Sequence, residues 1–306
     1  LHVRYKLIFL YFYRYYTTMS TIRSRTIMSL TYKLLDHFPV TLFGGIVRDV
    51  IVPVLSEGKN PFLSSFLQTE KINEISDIDL FTEEKFCIDD PSTCDLLISK
   101  LREWDWHAPG ITELTLYGIR GHRIELTHTL TSIDVHIDFI QGDQPGLVLD
   151  ADVNGFVFSK QHGLHLMRWM DSMKLEGKLR YATRVRRLER KILAKECEIK
   201  FSPMFLGYQQ DAVRSVRVRR FIKMIRKGWN VTNIDEDIDV HKGEKALSDV
   251  CAICHEDAKA IWVELKSSKC IICLNCFETL LIHDVPKLGH FRCPKSRKEI
   301  IPWSWS

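Results

Sequence analysis

The sequence lacks a hydrophobic run long enough to cross a membrane. The apolar stretch at residues 7–13 has only seven residues between Lys6 and Arg14, whereas a transmembrane helix needs about 20. No small-residue cleavage site of the kind that ends a signal peptide follows it. We therefore expect no membrane partner, and we expect residues 1–27 to be a disordered leader.

The chain also lacks internal repeats and long low-complexity tracts. Its 43 Lys and Arg residues nearly balance its 39 Asp and Glu residues, and 45% of all residues are hydrophobic. This composition is typical of a globular protein and excludes a wholly disordered or a collagen-like chain. The 306 residues leave room for roughly two or three compact units.

Cysteine is distributed unevenly along the chain. Three of the nine cysteines are scattered over the first 250 residues, whereas six lie within the last 56. The odd total and the C-x-x-C spacing favour metal-binding thiols in a reducing environment over the disulfide framework of a secreted protein. We therefore predict a cytoplasmic protein with a zinc site near its C-terminus.

Positive charge is concentrated in one region. Between Arg168 and Lys227 there are 18 Lys and Arg residues but only 6 Asp and Glu residues, so the remainder of the chain has a net charge of −8. Helical spacing joins the apolar residues Val218, Phe221, Ile222, Ile225 and Trp229. We predict a basic helical region over residues 166–232 that binds RNA or another nucleic acid through its phosphates, with little sequence specificity.

The first half of the chain mixes helical and strand patterns. Apolar spacing predicts helices over residues 27–38 and 92–104, and strands over residues 40–43, 75–81, 113–117, 123–128 and 132–140. This order of elements indicates an α/β or α+β domain over residues 28–165, and we predict the α+β class. The acidic stretch at residues 233–249 is typical of a linker, and a cysteine-rich module follows at residues 250–306.

Two aspartates in the predicted strand 75–81 are candidates for a metal site. Asp77 and Asp79 are two residues apart, so both carboxylates lie on one face of the strand. Magnesium prefers oxygen ligands and leaves positions for phosphate oxygens, and a third carboxylate on a neighbouring strand would complete a two-metal site. Asp138 is the first choice for this carboxylate. Asp134 is the alternative, because a period of two points both side chains the same way.

A glycine pair precedes these aspartates. Gly44 and Gly45 follow the predicted strand 40–43 and are themselves followed by Arg48 and Asp49. Because glycine lets backbone amides approach phosphate closely, this turn is a candidate phosphate-binding site.

These motifs resemble the nucleotidyltransferase superfamily of DNA polymerase beta, and within it the branch of bacterial poly(A) polymerases and class II CCA-adding enzymes. That branch carries a G-G-x-V-R-D signature before a D-x-D strand, as in Gly44–Asp49 and Asp77–Asp79. Val148 and Leu149 replace a pair of family arginines, which implies retained metal binding with altered selection of the base. The resemblance implies that the nucleotide contacts Gly44, Gly45, Arg48, Asp49, Asp150, Asn154, Arg184 and Arg187.

The resemblance further implies a polymerase-beta-like sheet and a magnesium-dependent activity. The enzyme would transfer a nucleotide from a nucleoside triphosphate to an RNA 3′ end. Asp77 and Asp79 would bind magnesium, and Asp138 would help to activate the attacking hydroxyl. Transfer to a protein is an alternative, because the sequence does not identify the acceptor.

The C-terminal module contains two C-x-x-C pairs. Cys251 and Cys254 form the first pair, Cys273 and Cys276 form the second, and 18 residues separate the pairs. Four thiolates at this spacing can complete a tetrahedral zinc site. We predict that one zinc ion binds per chain.

The wider cysteine pattern resembles a RING finger, in which two zinc sites interleave along the chain. The resemblance assigns a second site to Ser268, Cys270, Cys293 and Ser296. Because neutral serine hydroxyls are poor zinc ligands beside thiolates, we expect a degenerate site that is either empty or rebuilt with His283 or His290.

The RING resemblance also implies a protein partner, an E2 ubiquitin-conjugating enzyme. Ile253 and Pro294 occupy positions that contact E2 in that family, and Arg297 lies near the basic position that acts on bound ubiquitin. The alternative function is therefore a RING-type ubiquitin ligase or adaptor whose N-terminal half is an inactive relic of a nucleotidyltransferase.

Overall fold

The structure, a computed structural model, describes residues 22–62, 77–82, 86–116, 119–141, 151–167, 178–199, 210–243, 250–257 and 260–303. The chain divides into two compact units. The first contains residues 1–147 and 153–192, and the second contains residues 148–152 and 193–306. Within the described ranges, no helix combines the length and apolar composition that crossing a membrane requires.

The first unit combines helices with a mixed sheet, so the α+β prediction is confirmed. Its helices are α1 (Ile22–His37), α2 (consecutive segments Gly44–Ile46, Val47–Ile51 and Val52–Ser56), α3 (Pro91–Glu103) and most of α4 (Lys178–Ala194). Its strands are β1 (Val40–Phe43), β2 (Asp77–Thr82), β3 (Trp106–His107), β4 (Ile111–Leu116), β5 (Ile119–His128), β6 (Asp134–Gln141), β7 (Phe156–Ser159) and β8 (Gly163–Leu166).

The strand order of this sheet is β3-β5-β6-β2-β1-β7-β8, with β4 paired to β5. β2 and β6 run parallel, and β1 runs antiparallel to β2 on its other side. Along β6 the side chains of Val135, Ile137 and Phe139 are buried, as the alternation of apolar residues in the sequence predicts. The opposite face of β6 therefore carries its polar residues.

The helices of this unit cover apolar surface of the sheet. α1 buries Ile27, Leu30 and Leu34, which follow the helical spacing predicted from the sequence. This helix begins at Ile22, so residues 22–27 are helical rather than part of a leader. Residues 1–21 lie outside the described part of the chain.

In the part that the structure describes, the second unit contains two helices and three small sheets. Its elements are β9 (Glu196–Cys197), α5 (Gln210–Arg226), β10 (Asn230–Val231), β11 (Ile238–Lys242), β12 (Ile261–Leu265), β13 (Cys270–Cys273), α6 (Leu274–Leu288), β14 (Phe291–Arg292) and β15 (Glu299–Ile300). β9 pairs with β10, β14 pairs with β15, and β11, β12 and β13 form an antiparallel sheet.

An aromatic core joins α5 to the cysteine-rich segment. The Phe221 ring lies 6.3 Å from the Phe277 ring of α6 and 5.3 Å from the Trp303 ring, measured between ring centroids. The apolar stripe predicted on α5 is buried. The predicted basic region 166–232 is therefore not one domain, because α4 lies mainly in the first unit and α5 packs in the second.

The predicted linker over residues 233–249 also needs correction. Residues 238–242 form β11, which pairs along its whole length with β12. The His241 ring stacks on the Trp262 ring with centroids 3.8 Å apart. Pairing with β12 satisfies the backbone hydrogen bonds of this segment. Its charged side chains remain partly exposed, as in a linker, so its composition alone predicts a linker.

Candidate functional site

Three carboxylates lie on the polar face of the first unit's sheet. Asp77 and Asp79 alternate with the buried Ile78 on β2. Asp138 on β6 lies directly opposite Asp79 in the parallel pairing of the two strands. Because paired residues of neighbouring strands point to the same face, the three carboxylates form one cluster, which we call the carboxylate cluster.

The pairing also separates Asp138 from the alternative, Asp134. Asp138 is buried beside Asp79, whereas Asp134 is exposed at the start of β6. The Thr127 hydroxyl donates to the Asp134 carboxylate over 2.7 Å. Asp134 therefore has its own partner outside the cluster.

Arg123 on β5 compensates the negative charge of the carboxylate cluster. Its Nε and Nη2 atoms donate to the two Asp138 carboxylate oxygens, each over 2.7 Å. The hydrogen bonds to Asp138 raise the pKa of Arg123, burial opposes this, and the charges of Asp138, Asp77 and Asp79 add to the rise. Arg123 thus interacts electrostatically with all three carboxylates.

A histidine also borders the cluster. His136 lies opposite Asp77 in the strand pairing, and its Nδ1 atom is 3.3 Å from the Asp77 carboxylate. His136 is two residues from both Asp134 and Asp138, so the period of two in the sequence already predicts that it lies on the polar face. Arg123 could not be found this way, because its position depends on the register between β5 and β6.

Gly44 lies against the Asp79 carboxylate at the point where β1 ends and α2 begins. Its φ is +72°, and a Cβ atom on this residue would lie 2.2 Å from Asp79 Oδ2. Both the backbone conformation and the available space therefore require glycine. A Cβ atom on Gly45 would lie 3.8 Å from Arg48 Nη2, an ordinary contact, so only the first glycine of the pair is sterically required.

Arg48 joins α2 to Asn154. It is buried, and its Nε and Nη2 atoms donate to the Asp49 carboxylate over 2.7 and 2.6 Å. Its Nη1 atom donates to Asn154 Oδ1 over 2.7 Å. The structure thus brings together three of the residues implied by the family resemblance, while Asp150 lies outside the described residues.

The remaining two residues implied by the resemblance, Arg184 and Arg187, are on α4. They are three residues apart and so share one side of the helix. Arg184 is half-buried and Arg187 is exposed. α4 is a different element from the two strands, β2 and β6, that carry the carboxylate cluster.

The basic residues of α5 are partly used inside the second unit. Arg217 is buried over the Trp303 ring, and burial lowers its pKa to about 9. Arg226 pairs with Glu278 on α6, and Arg214 donates to the Pro286 carbonyl over 3.4 Å. These three arginines therefore hold α5 on its neighbours.

Four cysteines converge in the second unit, and we call them the thiol cluster. The Sγ atoms of Cys251, Cys254, Cys273 and Cys276 all lie within 4.8 Å of one another. Cys251 and Cys254 belong to a turn, whereas Cys273 ends β13 and Cys276 lies in the first turn of α6. The Cys254 and Cys273 sulfurs are 3.9 Å apart, close to the edge of about 3.8 Å in a tetrahedral zinc–thiolate site. The thiol cluster can hold a zinc ion.

The electrostatics of the thiol cluster suit a cation. Burial opposes ionisation of Cys251, but hydrogen bonds from backbone amides, including those of Cys254 and Cys273, lower its pKa to about 7. Burial raises the pKa of Cys273 and of Cys276, and contacts with neighbouring thiols add to the rise at Cys276. Of these three thiols, Cys251 therefore has the lowest pKa.

A second group, the Ser–Cys cluster, contains Ser268, Cys270, Cys293 and Ser296. Ser268 Oγ is 3.2 Å from Cys293 Sγ, and the Ser296 amide donates to the same sulfur over 3.3 Å. His283 pairs with Asp284, and His290 pairs with Glu299. Within the described residues, the thiol cluster is the one group of three or more His, Cys, Asp or Glu side chains arranged to bind metal. Rebuilding of the second site with either histidine is therefore not observed.

Comparison of the sequence with protein-family models and with curated proteins finds no match.

Proposed function

We propose that the first unit is a magnesium-dependent nucleotidyltransferase. The observation that carries this proposal is the in-register pairing of Asp79 with Asp138, which gathers three carboxylates on one face of the sheet. Carboxylate oxygens are the donors that magnesium prefers, and Asp77 and Asp79 would hold it. When bound, magnesium would supply positive charge for the phosphate oxygens of a nucleoside triphosphate.

The residues around the carboxylate cluster support this chemistry. Asp138 would accept the proton of the attacking hydroxyl, and its ion pair with Arg123 orients the carboxylate. The space at Gly44 lets the backbone at the start of α2 come close to Asp79. A helix N-terminus favours anions, so this turn would bind the triphosphate beside the metal ligands.

The acceptor in this proposal is an RNA 3′ end. Arg180, Arg186, Arg187 and Arg190 are exposed on α4. These residues extend over about three helical turns, which places positive charge along a length that suits the phosphate backbone of a nucleic acid. The internal contacts of Arg214, Arg217 and Arg226 leave a smaller basic surface on α5.

The test uses the purified full chain with magnesium, each labelled nucleoside triphosphate in turn and an RNA primer. We expect incorporation that disappears in Asp77→Ala/Asp79→Ala. Asp138→Asn should lower the rate by roughly 10²-fold or more, because it removes the proton acceptor. Asp134→Asn is the matched control on the same face of β6 and should leave the rate unchanged. Equal rates for the wild type and Asp77→Ala/Asp79→Ala would refute the proposal.

A second candidate function, ubiquitin ligase or adaptor, is favoured by the surface next to the thiol cluster. Ile253 lies between the first two cysteines and is 38% exposed. The two clusters of the second unit also take their residues alternately along the chain, as in a RING finger. An E2 assay tests this function: ubiquitin chains that form with the wild type and are lost in Ile253→Ala and Cys251→Ala would support it. Absence of chains with every E2 tried would leave the second unit with a structural role.

A further inference from the structure

The Ser–Cys cluster has the same arrangement along the chain as the thiol cluster, with serine hydroxyls in place of two of the four thiols. In both, one pair of side chains comes from one turn region and a second pair comes from further along the chain. Ser268 and Cys270 lie where the turn after β12 leads into β13, and Cys293 and Ser296 lie in the turn between β14 and β15. With thiols in place of Ser268 and Ser296, the cluster would have four sulfurs, as the thiol cluster does.

Hydrogen bonds satisfy the Ser–Cys cluster without a cation. Burial opposes ionisation of Cys293, but donors from Ser268, Ser296 and Lys295 lower its pKa to about 7. Burial raises the pKa of Cys270 to about 11, and the charge of Cys293 and a hydrogen bond with it add to the rise. The two sulfurs and two hydroxyls therefore form a hydrogen-bonded network in which Cys293 is the more acidic thiol.

Such a network does not fit zinc. Structural zinc sites use four thiolate or imidazole ligands, whereas this cluster offers two sulfurs, which are both buried, and two neutral hydroxyls. Each hydroxyl is already occupied: Ser268 Oγ contacts the Leu265 carbonyl and Cys293 Sγ, and Ser296 Oγ accepts from the Lys298 amide.

We propose that the Ser–Cys cluster is a metal-free site that keeps the donor arrangement of a zinc site, so that replacing its two serines with cysteine creates a second zinc site. A serine Oγ and a cysteine Sγ at these positions point in the same direction, but the thiolate is the stronger zinc ligand. This inference is independent of the proposed nucleotidyl transfer.

The test counts zinc ions bound to the purified full chain by native mass spectrometry and elemental analysis. We expect one zinc in the wild type and two in Ser268→Cys/Ser296→Cys. The matched control is Ser267→Cys/Ser296→Cys, which adds the same number of thiols. Because Ser267 is exposed and donates to Asp237 rather than to the cluster, this control should stay at one zinc.

Two further variants assign each ion to its site. Adding Cys251→Ser/Cys254→Ser to Ser268→Cys/Ser296→Cys should reduce the count from two to one, and the remaining ion should be absent when Cys270→Ser is also added. Two zinc ions in the wild type, or one in folded Ser268→Cys/Ser296→Cys, would overturn the proposal. If that variant does not fold, Cys270→Ser/Cys293→Ser decides: an unchanged single zinc supports the proposal and a lost zinc overturns it.

Discussion

At the scale of single residues, the carboxylate cluster depends on one arginine. Asp138 is 4% exposed, and an ionised carboxylate at such a position needs a counter-charge. Arg123 supplies it with two hydrogen bonds of 2.7 Å. The motifs in the sequence identify the acidic residues but not this partner, because the pairing register of β5 and β6 is a property of the folded sheet.

Replacing Arg123 should therefore destabilise the first unit. We expect Arg123→Met to lower the free energy of unfolding by about 2–3 kcal/mol, less than for a fully buried pair because the guanidinium is partly exposed. Adding Asp138→Asn should recover part of this loss, since no buried charge then remains unpaired. Urea denaturation of the two single variants and the double variant measures the coupling. Arg102→Met, at an exposed position on α3, is the control, and additive effects of the two substitutions would contradict a direct coupling between Arg123 and Asp138.

Gly44 gives a second prediction at this scale. Gly44→Ala should lower the free energy of unfolding by about 2 kcal/mol or more and displace the Asp79 carboxylate, because the new Cβ meets Oδ2 at a positive φ. Gly45→Ala should change stability by less than about 1 kcal/mol, as expected for an uncrowded helical glycine. Thermal unfolding of both variants tests the difference. A similar loss of stability in both variants would show that the contact with Asp79 does not explain the need for glycine at residue 44.

At the scale of elements, the sequence predicts helices and strands with a strong apolar period. It misses strands that form mainly because they pair with a neighbouring strand. β1 coincides with its predicted strand, α3 is one residue removed from its predicted bounds, and the stripe on α5 is buried. β11 has only two apolar residues, Ile238 and Val240, and its acidic neighbours resemble a solvated linker. Its partner strand and the stacked His241 and Trp262 rings stabilise it, and neither contact is visible locally.

The packing of α5 can be tested through its largest buried side chain. Phe221 is 1% exposed, and Phe221→Ala should lower the free energy of unfolding by about 3–5 kcal/mol. Because the same ring contacts Phe277 on α6, we expect amide protection to fall in α6 as well as in α5. Lys223→Ala, at an exposed position on the same helix, should leave protection unchanged. Hydrogen exchange read by mass spectrometry measures both variants, and loss confined to α5 would contradict the shared core.

At the scale of the whole molecule, the two units carry different donor sets. The first unit places three carboxylates on one face of its sheet, and the second brings together four thiols, which suit zinc. The sequence predicts this division well, because spacing in D-x-D and C-x-x-C places donors on one face or in one turn. It predicts the boundary between the units poorly, since the burial that assigns α4 and α5 to different units depends on contacts remote in the sequence.

This division predicts a selective response to chelation. Excess EDTA should remove amide protection from β13 and the first turns of α6, because the thiol cluster joins the turn at Cys251 to these elements, and from β12, which pairs with β13. Zinc, but not magnesium, should restore it. Cys254→Ser should reproduce the loss without chelator, whereas Cys94→Ser, on α3 outside the cluster, should not. Protection of β2 and β6 should persist throughout, since strand pairing rather than metal binding holds those amides. Loss of protection in β2 and β6 together with β12, or recovery with magnesium alone, would show that the thiols are not the structural metal ligands of the second unit.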